Sequence, residues 1–471
     1  MARSFTDFIT EEEQETKQKY KLLVVSTRPK NNEYYHTTKR LLDEAKAAGI
    51  EAFPLLCETA RIDTVNNQVW NSENSDKRFD IDPDNTVAIV RGSVARKDAY
   101  LDLVSQLEKM GVSVVNSRTT VSICADKYRS AIRLNDSGVP TPKTSLLQSV
   151  NTVQDSLDSI GEEYPLILKT LRGSKGIGVI FIESRRQLDS IIQLLWKQDA
   201  DTELLLQKYV KADHDVRVLV LGNRVLAAMR RDVLKGDFRS NASLGAKVSE
   251  YKLSEKEIKI CLDAHKAVNG VYTAVDLIKS GNDSYVLEVN SSPGTSGIEK
   301  ATGRNLIKEI VEYFMHRNNW RWVAHEIGRN ERIEITGVGD VVANFDTGNS
   351  ARCIIHADDW NVKGKEVTWK SYGKTYKHRL VKMGKWERGA LNAQVIERPI
   401  VTFDVHFNGR LYKDVRFALD DRTEKTTKCL MNQDFMMRAK VMVNPARKFV
   451  VTESYEDFDI FDDGKTEKER K

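Results

Sequence analysis

The sequence contains no Cys-x-x-Cys pair, no internal repeat, no low-complexity segment and no strong excess of either charge. Each absence excludes something. The five cysteines, Cys57, Cys124, Cys261, Cys353 and Cys429, are odd in number and scattered, so they offer neither a zinc ribbon nor a redox motif and read as free buried thiols. No apolar run approaches the roughly 18 residues of a spanning helix, which argues against a membrane protein. The 73 basic residues nearly balance 68 acidic ones, for a net charge of +5, so no broad nucleic-acid surface is expected, although a local basic groove remains open. The start, "MARSFTDFITEEEQETKQKY", lacks the apolar core of a secretory leader and carries an acidic cluster, so a cytoplasmic protein with a polar tail over residues 1–19 is expected. What is present is ordinary globular material: 471 residues, 40% hydrophobic and 30% charged, enough for about three domains.

Residues 20–119 alternate compact apolar strands ("KLLVVST", "TVAIVRG", "VSVVN") with helically spaced segments, as parallel βαβ units do. No glycine fingerprint occupies the first turn, so a dinucleotide is not expected there. Residues 120–318 mix helices and hairpins in an α+β manner. A tryptophan-rich stretch, 319–332, reads as a linker. Residues 333–455 then alternate strand and turn with almost no helix, the pattern of a β-barrel, and 456–471 form a charged tail.

Three stretches of the middle domain carry chemistry. In "KTLRGSKGIGVIF" (169–181) the order is GxxGxG between two strands, which fits neither phosphate loop that leads into a helix. It fits a glycine-rich hairpin laid over phosphates with Lys169 as a point charge, or else a plain flexible hairpin. In "TAVDLIKSGNDSYVLEVNSSPG" (273–294) a hairpin centred near Asn282 would set Asp276 opposite Glu288, with Asn290 on the same face. Two carboxylates and an amide amid apolar residues suit Mg²⁺, whose shell is completed by water and phosphate. The alternative is a row of solvated polar residues on a half-buried strand. In "HDVRVLVLGNRVLAAMRRDVLKGDFRSNASLG" (214–245) a hairpin returns Arg230 and Arg231 to the site end and "GDFRSN" adds Arg239 and Asn241, donors for a phosphate or a developing oxyanion.

Together with "DKYRS" (126–130), these stretches resemble the RimK type of ATP-grasp carboxylate–amine ligase over residues 20 to 318. The resemblance implies an α/β pre-ATP-grasp domain followed by an α+β ATP-grasp domain. It also implies ATP phosphates on Lys127, Lys169 and the loop residues Gly173, Ser174, Gly176 and Gly178. The adenine would lie on Gln207, Lys208 and Tyr209, and the ribose side on Asp215. Arg239, Ser240 and Asn241 would serve the phosphate-metal region, and Arg231 or Arg239 an oxyanion. Two Mg²⁺ ions, or Mn²⁺ in their place, would sit on Asp276, Glu288 and Asn290. Lys208 stands where relatives carry a glutamate. By kinship the reaction adds glutamate to a protein or peptide, a ribosomal-protein C-terminus among the candidates, without direct contact to nucleic acid or membrane.

"VVANFDTGNS" (341–350), with "CLMNQDF" (429–435), resembles a retropepsin-like family often labelled ATP-dependent zinc protease. A single Asp-Thr-Gly implies that Asp346 forms half of an aspartate dyad across a dimer. Asn349 departs from the family's Ala or Ser after the triplet, and Leu430, Met431 and Asn432 replace an apolar pair and a glycine. These departures leave a non-catalytic acceptor-binding module as one alternative to a fused peptidase. Another has the aspartic peptidase as the main activity, with ATP use subordinate. "HEIGR" (325–329) lacks the second histidine of a zinc helix, and His356, His378 and His406 read as structural.

Overall fold

The computed structural model describes residues 20–28, 36–171, 178–212, 214–232, 247–371, 373–388 and 394–452. It divides into two compact units, residues 1–322 and 323–471. Among the described residues no helix is long and apolar enough to cross a membrane.

The first unit begins with a four-stranded sheet in the order Glu51–Leu56, Lys21–Ser26, Thr86–Arg91, Ser113–Val115, paired in parallel throughout. The central strand reads Leu22-Leu23-Val24-Val25 because both faces are covered. One face packs with helix His36–Ala47 and shares its core with Leu219, Ala274, Ile298 and Ile310, so the pre-ATP-grasp portion is welded to the middle segment of the chain. A small antiparallel sheet of Ala60–Asp63, Gln68–Asn71 and Phe79–Asp80 is inserted after the second strand; its short strands gave no clear periodicity in the sequence.

Two further sheets are antiparallel. One has the order Val179–Ile182, Leu166–Thr170, Leu204–Lys208, Thr144–Leu147; the other runs Val248–Glu250, Arg224–Asp232, His214–Leu221, Tyr272–Ser280, Asp283–Asn290. Each buries its own cluster of aliphatic side chains. Helix Lys127–Asp136 is started by Asp126, whose side chain accepts from the Arg129 N–H, and its buried residues include Leu134.

Asn116 ties the parallel sheet to the second antiparallel one. It is 1% exposed, its Nδ2 donates to the carbonyls of Tyr272 and Ser291, and its Oδ1 accepts from the N–H groups of Val271 and Tyr272. Asn116→Ala would leave four buried backbone groups unpaired, so a loss of about 3 kcal/mol is expected. Chemical denaturation should show it, together with a lower kcat because the strand that carries Asp276 loses its anchor.

In the second unit six strands close into a barrel in the order Asn330–Ile335, Gly339–Phe345, Cys429–Met431, Cys353–His356, Arg410–Asp420, Gln394–Phe407, the last pairing back to the first. Closure removes the open edges a six-stranded sheet would otherwise expose. The boundary between the two units falls within 319–332, after Trp322, and both ends of that segment belong to folded structure. Trp320 is buried within the first unit, whereas His325–Gly328 pairs in parallel with Val441–Asn444 of the second. Its crowding of tryptophan and charge hid a core residue and, after it, a strand. A seven-residue helix, Gln433–Ala439, also interrupts the β pattern.

Candidate active site

The two antiparallel sheets of the first unit contribute to one cleft. Lys127, Ala131 and Leu134 line it from helix Lys127–Asp136, Thr144, Lys169, Leu205 and Gln207 from the first sheet, and Val286 and Leu287 from the second. Lys169 donates to Gln207 Oε1 at 2.7 Å, and Gln207 Nε2 donates to Thr144 Oγ1 at 2.9 Å. Lys127 Nζ lies 3.1 and 3.2 Å from the carbonyls of Thr170 and Leu171. Burial pushes Lys169 down to about 8, with Lys127 nearby adding to the fall and Glu288 opposing it. Lys127 is likewise lowered, chiefly by burial.

The hairpin places Asp276 opposite Glu288 and Ala274 opposite Asn290. The route differs from the expected one. The turn is two residues, Gly281 and Asn282, with Gly281 at φ +61°, and the ladder runs in register to the Leu277–Val286 pair. From there an unmodified hairpin would set Asp276 against Leu287. The register shifts at that step, Leu287 becomes the extra residue, and Glu288 turns onto the face of Asp276. A bulge, not a wider turn, makes the acidic pair.

Asp276 is buried, and both oxygens are taken. Arg217 Nε donates to Oδ1 at 2.8 Å and its Nη2 to Oδ2 at 2.6 Å, while Arg231 Nη2 reaches Oδ2 at 3.1 Å. Burial alone would raise this carboxyl, but Arg217 and Arg231 outweigh it and hold it below the usual carboxylate range. Glu288 is raised instead, by the protein crowded around it and then by the Asp276 charge, against Arg217, Lys169 and Lys127. Its side chain is nonetheless open to solvent. Asn290 Oδ1 accepts from the Ser292 N–H at 2.9 Å.

These residues fit a divalent cation. A carboxylate made reluctant to ionise by a second carboxylate is what a dication relieves, and each carboxylate offers more lone pairs than its arginine contacts consume. Among the described residues no cluster of three or more His, Cys, Asp and Glu is present. Two carboxylates and an amide are the sparse kind of donor set that Mg²⁺ completes with water and phosphate.

Other expectations change. Arg231 does not face an oxyanion: it is buried, its Nε and Nη2 are held by Asp215, and the same Nη2 by Asp276. Asp215, expected beside a ribose, is its buried partner, so both residues position Asp276 through the strand pair Asp215–Arg231. The Lys208 N–H is bonded to the Lys143 carbonyl at 2.9 Å and its ammonium to Glu163 at 2.6 Å, so neither is directed at a base edge. Tyr209 packs edge-on to Phe181. Gly178, at φ +80°, has Thr170 Oγ1 2.5 Å from where a Cβ would stand, so its place admits only glycine without a shift. Gly173, Ser174, Gly176, Arg239, Ser240 and Asn241 lie outside the described residues. Arg217 was not singled out as a site residue; strand alternation two residues from Asp215 was the available signal.

Lys169 gives a pH expectation. Its folded value lies below the ordinary 10.5, so burying the ammonium costs stability at neutral pH and that cost is relieved as pH rises from about 8 toward 10.5. Affinity for a polyphosphate should move the other way. It should fall by up to about tenfold per unit above pH 8, with proton uptake on binding. Calorimetry in buffers of different ionisation enthalpy measures both.

In the second unit Asp346 ends the strand Gly339–Phe345, its N–H donating to the Met431 carbonyl at 3.0 Å and its Oδ1 accepting from Gly348 at 2.9 Å. Cys429–Met431 runs between Gly339–Phe345 and Cys353–His356, bracing the loop. Asn432 replaces the expected glycine without strain because its φ is −94°. Its side chain caps the following helix through the Phe435 N–H and accepts from Cys353 Sγ. His356 Nδ1 accepts from the Arg422 N–H, and His378 Nδ1 from Trp369 Nε1, so both serve the fold.

Comparison with known proteins agrees with this division. Residues 124–314 match the model described as a RimK-like ATP-grasp domain, and residues 327–454 that of the retropepsin-like aspartic endopeptidase RimB. The chain is 34% identical to the probable alpha-L-glutamate ligase 2 of Shewanella amazonensis over 59% of its own length and 91% of that protein. It is also 34% identical to the probable alpha-L-glutamate ligase of Legionella pneumophila, over 62% and 94% respectively. A RimK-domain ATP-grasp protein of Sphaerobacter thermophilus aligns in structure with 18% identity and a TM-score of 0.47, over 61% of this chain and 98% of that one.

Proposed function

Given that the chain belongs to the alpha-L-glutamate ligase family built on a RimK-like ATP-grasp domain, we propose that it uses ATP to join glutamate to a protein or peptide acceptor. The observation that carries this reading is the bulge-made pairing of Asp276 with Glu288 beside Asn290, on the sheet that shares its cleft with Lys169 and Lys127. In the proposed reaction an oxygen of the substrate carboxylate attacks the γ-phosphorus, the bond to the bridging oxygen breaks, and ADP leaves. The amine nitrogen then attacks the acyl carbon, the carbon–oxygen bond to phosphate breaks, and the amine proton passes to solvent. Lys169 and Lys127 supply fixed positive charge along the triphosphate. Asp276, Glu288 and Asn290 would hold the two divalent cations, which neutralise phosphoryl charge as Lewis acids when bound. Leu205, Val286 and Gln207 form the wall for the base. Arg239, Ser240 and Asn241 are assigned to the phosphate and oxyanion end. The modest net charge fits an acceptor captured without nucleic acid, a ribosomal-protein C-terminus being the acceptor suggested by kinship.

The test is to incubate the protein with ATP, Mg²⁺ and a panel of amino acids, following ADP release and the mass of candidate acceptors. Release that depends on glutamate supports the reading. Equal release with every amino acid, or none, removes the assignment of the donor.

A second reading concerns the retropepsin-like unit. Among the described residues Asp346 is the one aspartate in an Asp-Thr-Gly loop, so a peptidase needs a second copy, while a binding module does not. Peptide cleavage that disappears in Asp346→Ala identifies a dimeric peptidase. Cleavage absent from the wild type, with acceptor affinity residing in this unit, identifies a docking module.

A further inference from the structure

Arg217 has a consequence for how metal enters the cleft. Around the paired carboxylates the described residues place four cationic groups, Arg217, Arg231, Lys127 and Lys169, among the carboxylates Asp215, Asp276 and Glu288, with Asp126 acting on Lys127. Among the described residues these carboxylates are thus already matched by cations before any metal arrives. The deepest of them is also occupied: Arg217 grips Asp276 through both oxygens in the fork geometry that guanidinium and carboxylate share. Arg231 cannot be the adjustable partner, because it is 3% exposed and pinned by Asp215. Arg217 can, since its side chain is 19% exposed and its hydrogen bonds run to Asp276. A bare dication would have to share Asp276 with this fork and add two charges beside two guanidinium groups. A polyphosphate brings about four negative charges that offset them.

We propose that Arg217 is the counter-ion that withholds Asp276 from free divalent metal, so that metal is admitted only together with a polyphosphate nucleotide. This rests on the ATP-grasp reading and adds to it an order of binding and a residue that enforces it. Arg217 acts through Asp276 and is a positioning residue.

The experiment measures Mn²⁺ binding to the full chain by the paramagnetic resonance signal of the free ion, with and without a non-hydrolysable ATP analogue. In the wild type, Mn²⁺ should bind at least about tenfold more weakly without nucleotide than with it. In Arg217→Met, binding of Mn²⁺ alone should tighten at least tenfold, closing most of that gap, and Arg217→Lys should lie between because it keeps the charge without the fork. Circular dichroism and nucleotide affinity measured without metal establish that each variant is folded. Equal Mn²⁺ affinity with and without nucleotide in the wild type overturns the proposal. So does unchanged or weakened metal-only binding in both folded variants. Failure of the wild type to bind the nucleotide at all would instead sink the ligase reading, and this inference with it.

Discussion

Glu288→Gln is expected to lower ATP-dependent amide formation by about 10²–10³-fold while leaving the protein as stable as before, or slightly more so. The two effects share one cause. Glu288 is crowded by protein and faces the Asp276 carboxylate, and its folded-state pKa is raised above the ordinary 4.5. A carboxyl raised in this way loses stability for the protein as pH climbs from its unfolded value through its folded one. Glutamine removes that penalty and keeps the shape. It also removes one of the two charges that make the cleft floor a cation site, so polyphosphate charge goes unneutralised where the transferred phosphoryl group must sit. ADP release and melting temperature at pH 7 check the prediction together. Activity near the wild-type level would show that Glu288 is not a ligand.

The largest effect on stability is expected at Glu331, far from this chemistry in sequence and in the other unit. Its carboxylate is fully buried, and it accepts from the N–H groups of Gly328 and Val450 at 2.7 Å and of Thr452 at 3.1 Å, with the Thr452 hydroxyl also bound. One side chain thereby ties the first strands of the barrel unit to its last described residues. Beside it Gly328 is indispensable, because a Cβ there would stand 2.7 Å from the Lys448 Cα. Glu331→Ala leaves those donors buried and unpaired, and a loss of about 3–5 kcal/mol from this unit is expected. Glu331→Gln keeps one acceptor oxygen but turns an NH₂ toward N–H donors, so it should cost about half as much. Urea unfolding, read by limited proteolysis within residues 323–452, measures the effect. A midpoint within error of the wild type for Glu331→Ala would show that water can replace the carboxylate.

Much of the architecture was legible because it depends on local periodicity. The apolar strands of the parallel sheet, the hairpins of the ATP-grasp segment and the strand-turn alternation of the barrel each announce themselves in stretches of a few residues. Residues 319–332 showed only the boundary they contain, because a single buried tryptophan and a four-residue strand, His325–Gly328, give too short a pattern to stand out from a linker. Among site residues, Lys169, Gln207 and the Asp276–Glu288–Asn290 set were visible as residue types at strand spacing. The partners of Asp215 and Arg231 were not, because which of several arginines reaches which carboxylate is settled by the register of their hairpin and by its pairing with the strand that carries Asp276. The same limit hid Arg217, whose neighbour across the sheet is Asp276.

By itself the sequence determined which residue types the hairpin strands carry, Asp276 on one and Glu288 and Asn290 on the other, since side-chain type and the two-residue period of a strand are local properties. Only the tertiary structure decided which way they point. Alternation counted back from the Gly281–Asn282 turn puts Glu288 on the wrong face, and the extra residue at Leu287 corrects it. Whether a ladder spends a residue on a bulge is settled by the packing of both faces against the rest of the protein, where a shift of one residue exchanges every side chain between core and cleft.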